Sequence, residues 1–207
     1  QYRISLADSL IEKSEIKNIF INRLAIQGMV FSNNAEKIDS ILNILEDINF
    51  NGKNLPDLKQ MAAIQKSLLP GNNIGSLSLT NFQEENIQLE DISDKPIVTY
   101  HWSMEAPEHY KWQHSIISTL REKYPELEFV GINIDNDSQQ SWKNTVEVYG
   151  MNKEREYKLN SANINVNLLK NYLNKLIFLD TQGNIVNGEA QLNTPNFERQ
   201  ILEFLNN

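Results

Sequence analysis

The chain has no cysteine among its 207 residues, and this absence excludes more chemistry than anything else in it. Without a thiol there is no thiol–disulfide exchange, and no peroxide reduction that begins at a thiolate. The same absence says nothing of compartment, since an oxidising space permits disulfides without requiring them. Positive charge is scarce as well: 19 Lys and Arg against 27 Asp and Glu leave a formal net charge of −8. No basic stripe exists to displace counterions from phosphates, which argues against nucleic acid or an anionic membrane surface as partner. No apolar run approaches the roughly 20 residues that cross a bilayer. Also missing are a Gly-rich phosphate loop, a G-x-S-x-G elbow, an H-E-x-x-H pair and an internal repeat. Nothing that remains implies a cofactor. A chain opening on Gln1 fits a trimmed, exported product.

What is present falls into two parts. Ile16, Ile19, Phe20 and Leu24 recur at helical spacing. Ile38, Ile41, Leu42 and Leu45 do so behind an Asn34 N-cap, and Leu58, Met61 and Ala62 mark a third helix opened near Asn54 and Pro56. Phe31-Ser32-Asn33 and Asn51-Gly52-Lys53 separate them. Pro70-Gly71-Asn72-Asn73 ends the helical pattern, which gives a helical segment over 1–72 and a second domain over 73–207. In that domain the pattern predicts strands at 76–80, 87–89, 96–101 and 128–134, a possible edge strand at 156–159, and a hairpin joining 175–179 to 184–186. Helices are predicted at 105–123, 138–149, 166–172 and 195–205. The strand–helix–strand at 96–134 implies a parallel pair with a right-handed crossover.

The most informative stretch is PIVTYHWSMEAPEHYKWQHSIISTLREKYP, residues 96–125: a strand, an aromatic-rich turn and an amphipathic helix. With GSLSLTNFQEENIQLEDISDKPIVTYHWSMEAPE before the helix and LNKLIFLDTQGNIV after it, the chain resembles the thioredoxin-like superfamily over about 72–207. The likeness is greatest to the TlpA-like thiol-disulfide oxidoreductases of bacterial envelopes, where helical N-terminal segments often precede such domains. The resemblance implies an α/β fold, a mixed sheet flanked by helices. It also implies a location in the periplasm or cell envelope. In the family this turn reads FWASWCPPC; here Glu105 and Glu108 stand where the two cysteines would be. The family's cis-proline position falls on Asn174. A cis peptide before a residue other than proline costs roughly 2.5–4 kcal/mol, so a trans bond and a reshaped loop are expected.

A carboxylate cannot form a sulfur–sulfur bond. The reading is therefore a redox-inactive thioredoxin-like domain that binds a protein or peptide, with Trp102, Met104 and Pro107 as an apolar contact patch if all three are exposed. One alternative is a metal-dependent binder or enzyme using Glu105, Glu108 and His109, with His101 approaching from the strand end. Glu105 and His109, four apart, would share a helix face, whereas His114 points away from that group. Another alternative is a purely structural domain. Trp112, Ile116 and Leu120 read as a core-facing stripe on the same helix.

Overall fold

A computed structural model describes residues 2–50, 54–160 and 165–206. The Asn51-Gly52-Lys53 break lies outside them. The chain forms two compact units, Gln1–Leu69 and Pro70–Asn207.

The first unit holds helices α1 (Tyr2–Leu10), α2 (Ser14–Val30), α3 (Ala35–Asp47) and α4 (Leu55–Ser67). Asn34 caps α3, its side chain accepting from the Lys37 N–H, and Pro56 sits in the first turn of α4, where its missing N–H costs nothing. α3 and α4 bury the residues their spacing selects, among them Ile38, Ile41, Leu45, Leu58 and Met61. α2 does not. Its buried stripe is Ile21, Ala25 and Met29, while Ile16, Ile19 and Phe20 are exposed. Two apolar stripes compete on this helix, and the one carrying Ala25 is buried. α1 was not anticipated, because it buries only Ile4 and Ala7 and exposes Leu6 and Leu10.

The second unit is built on a seven-stranded sheet of order β2-β1-β5-β4-β3-β6-β7. The strands are β1 (Ser78–Thr80), β2 (Asn86–Gln88), β3 (Ile97–Trp102), β4 (Glu128–Asn133), β5 (Glu156–Leu159), β6 (Lys175–Leu179) and β7 (Ile185–Gln191). β3, β4 and β5 run parallel, and β6, β7 and β1 add antiparallel neighbours. β5 is not an edge strand: it lies between β4 and β1. The helices are α5 (Pro107–Lys123), α6 (Gln139–Val148), α7 (Val166–Leu169) and α8 (Phe197–Leu205).

Alternation along β3 sorts its side chains onto two faces. Val98, Tyr100 and Trp102 share one face with Leu176 and Phe178 of β6, and this face meets α5 and α8. α5 buries Tyr110, Gln113, Ile117 and Leu120 there. Trp112 is 40% exposed and Ile116 only partly buried, so the expected stripe is rotated by about one residue. Central strands buried on both faces read as continuous apolar runs, and β3, β4 and β6 all do.

Candidate functional site

The turn between β3 and α5 is fixed from below by one buried carboxylate. Asp135, just past β4, accepts from Ser103 Oγ at 2.6 Å, from the Met104 N–H at 2.6 Å and from Asn133 Nδ2 at 3.0 Å. Ser103 Oγ also accepts from the Glu105 N–H at 3.2 Å. Charge-assisted bonds of this kind contribute about 1.5–3 kcal/mol each, so the backbone of 103–105 is held firmly. α5 then starts at Pro107, with Ala106 as an N-cap that offers no side-chain acceptor.

This start separates the two glutamates. Glu108 lies in the first helical turn, where the backbone dipole favours a negative charge by about 0.3–1 kcal/mol. Glu105 precedes the cap, so the helical i, i+4 relation to His109 does not apply. It pairs instead with Lys170 at 2.6 Å. His109 Nε2 meets Asn174 Oδ1 at 3.0 Å, and Gln113 Nε2 donates to the Leu173 carbonyl at 3.4 Å. Three side-chain bridges thus join the start of α5 to residues 170–174. No described peptide is cis, that before Asn174 included.

His101 belongs elsewhere. Tyr100 and Trp102 face α5, so His101 points to the opposite face of the sheet, where its Nδ1 lies 3.5 Å from the Lys175 carbonyl. Burial lowers its pKa to about 4, and burial lowers that of His109 as well. His101, Glu105, Glu108 and His109 therefore do not converge. Among the described residues no three His, Asp or Glu side chains are grouped to hold a metal ion. The apolar patch does not form. Trp102 is fully buried and Met104 half-buried, its Sδ accepting from Thr145 Oγ1 at 3.3 Å; of the three, only Pro107 is exposed.

Trp102 is buried for a polar reason. Its Nε1 donates to Glu156 Oε2 at 2.9 Å, and Tyr100 Oη donates to Oε1 of the same carboxylate. Glu156, on β5, is fully buried. His114 Nε2 lies 3.2 Å and Arg121 Nη2 3.9 Å from its Oε1. Arg121 Nη2 also donates to Tyr100 Oη at 3.2 Å and to the Phe129 carbonyl at 2.8 Å. The carboxylate fits because β4 carries Gly131 beneath it: a Cβ there would stand 2.1 Å from Oε2. Burial and the neighbouring Glu156 charge push the Tyr100 hydroxyl pKa well up. Neither Asp135 nor Glu156 was singled out from the sequence, and His114 was set aside. A lone glycine inside an otherwise apolar strand was the available signal, since it marks a close approach.

No protein-family model matches the chain, and no curated protein does. Solved structures do. The thioredoxin domain of a thiol-disulfide oxidoreductase from Bacteroides vulgatus is 14% identical, with a TM-score of 0.51 over 65% of this chain and 96% of that one. A second protein assigned as a thiol-disulfide oxidoreductase from the same organism is 19% identical, with a TM-score of 0.52 over 67% and 98%. The C-terminal domain of another so assigned, from Bacteroides thetaiotaomicron, is 19% identical with a TM-score of 0.51 over 66% and 96%. At these identities the likeness is one of fold. The chain has a thioredoxin-like α/β fold and no cysteine to go with it. No described helix is long and apolar enough to cross a membrane.

Proposed function

We propose that this chain is a redox-inactive thioredoxin-like module that binds a protein or peptide partner in a bacterial envelope. The observation carrying the reading is a turn held by buried Asp135 that presents no thiol. Pre-ordering a loop lowers the entropic cost of association, so a fixed turn without a reacting atom suits display. Trp102 is unavailable, and the contact surface passes to Pro107, Glu108, Lys170 and Asn174 around the bridged end of α5. The envelope location rests on the sequence resemblance alone.

Two measurements test this. In the insulin-reduction assay with dithiothreitol, the protein is expected to leave the rate unchanged; acceleration would refute the redox-inactive reading. A photo-crosslinking residue at 107 or 108, expressed in the source organism, should give one discrete adduct that is absent when the probe sits at exposed Leu202 on α8. Identical adducts from both positions would remove the turn as the interface.

A further inference from the structure

A cavity of about 630 Å³ opens on the flank of α5, away from the turn and independent of the reading above. One wall is a polar stripe at helical spacing, Lys111, His114, Ser115, Ser118 and Arg121; the other is the Tyr149–Asn152 segment that follows α6. Gly150 allows this tight wall, since its φ of +61° is a conformation other residues adopt only under strain. His114 and Arg121 are the same side chains that contact buried Glu156, so the cavity backs onto that centre.

The imidazole at its back has a defined orientation. His114 Nδ1 lies 2.7 Å from the Tyr110 carbonyl, which can only accept, so Nδ1 carries a proton. Nε2 lies 3.2 Å from a Glu156 carboxylate oxygen, out of hydrogen-bond alignment. Arg121 lines the same cavity, its guanidinium side chain only partly exposed. Arg121 Nε has no aligned acceptor among the described residues. Lys111 adds a cation at the mouth, paired with Glu108 at 3.4 Å. One acid, Glu122, also lines the cavity; it and Glu108 are exposed and hence screened by water and salt, whereas the Arg121 side chain is only 22% exposed.

We propose that this cavity binds a small organic carboxylate, its anionic group received by Arg121 with the Ser115 and Ser118 hydroxyls beside it. The volume falls within the range of ordinary small-molecule sites. Arg-carboxylate pairing, supplemented by hydroxyl donors, is the usual chemistry of such recognition.

The test is titration of the full chain with succinate, with citrate and with inorganic phosphate at constant ionic strength, followed by amide chemical-shift mapping. Saturable shifts confined to 111–122 and 149–152, with succinate or citrate, are the expected result. Ser118→Glu places a negative charge in the cavity at an exposed position that folding does not depend on, and should weaken binding about tenfold or more. Three results would overturn the proposal: no saturation by either carboxylate up to about 10 mM, where even a millimolar site would fill; saturation by phosphate only; or equal binding by the Ser118→Glu protein.

Discussion

Replacing Glu156 with glutamine changes one atom of a buried group while keeping its shape, so any effect is electrostatic. The carboxylate takes hydrogen bonds from Tyr100 Oη and Trp102 Nε1, one on each oxygen. An amide can accept from only one of them; with its oxygen on Trp102 Nε1, its NH₂ meets Tyr100 Oη, which must turn to accept and leaves its own proton without the carboxylate. One charge-assisted bond is lost, about 1.5–3 kcal/mol, and the Arg121 charge loses its buried counterion. Relaxation is blocked below, where the side chain already rests on Gly131. Removing one partner of a buried ion pair costs about 3–5 kcal/mol, and because Arg121 is partly exposed we expect the lower end, about 3 kcal/mol, or roughly 10 °C in Tm. Urea unfolding followed by tryptophan fluorescence is the assay. All three tryptophans, 102, 112 and 142, lie in the second unit, so the signal reports that unit and not the helical one. The midpoint should fall with an unchanged m-value. A loss below about 1 kcal/mol would refute the assignment of Glu156 as the acceptor of a charged centre.

Trp102→Phe should cost about 1–2 kcal/mol in the same assay, since it leaves Oε2 without its donor while keeping most of the packing. Asp135→Asn should loosen the turn: amide exchange at Met104 and Glu105 is expected to rise, with about 2 kcal/mol lost, because an amide cannot accept from both Ser103 and Met104. The pH dependence follows from His101, whose folded pKa of about 4 lies below the unfolded 6.5. Between those values the unfolded chain binds more protons, so stability falls as pH drops from 6.5 to 4, by up to about 3 kcal/mol. His109 shifts in the same direction. His101→Phe should flatten most of that slope in pH-dependent urea titrations, and an unchanged slope would exclude His101 as its source.

The sheet was legible from the sequence because β3, β4 and β6 are apolar runs bounded by polar turns, and the hairpin at 180–183 carries its own Asx signal in Asp180. The candidate site was less so. Helical spacing was applied to Glu105 and His109, yet the helix begins two residues after Glu105, and cap positions are the least determined feature of any helix. His101 was drawn toward the turn by nearness in sequence, although strand alternation sends it to the other face. Trp102 lies on the face that meets α5, and the acid that holds it, Glu156, is 54 residues away. No local pattern links the two. The same holds for Asp135, which follows an apolar strand and reads as a solvated end until Ser103 and Met104 are brought over it.

The placement of the buried polar groups bears on why the second unit has the composition it does. A cluster needed only to join α5 to the sheet would be served as well by apolar residues, since replacing a buried ion pair with well-packed hydrophobes is often neutral or stabilising. Here the chain instead sets a carboxylate, an imidazole and a guanidinium behind a polar cavity, and puts a glycine in a central strand to make room, a weakening of roughly 0.5–1 kcal/mol by itself. Asp135 differs, because it takes hydrogen bonds from Ser103, Met104 and Asn133 within the protein. The two carboxylates therefore do different things. Asp135 is accounted for by the turn it holds, whereas Glu156 takes the Tyr100 and Trp102 donors and lies beside Arg121, a cation that also lines the cavity.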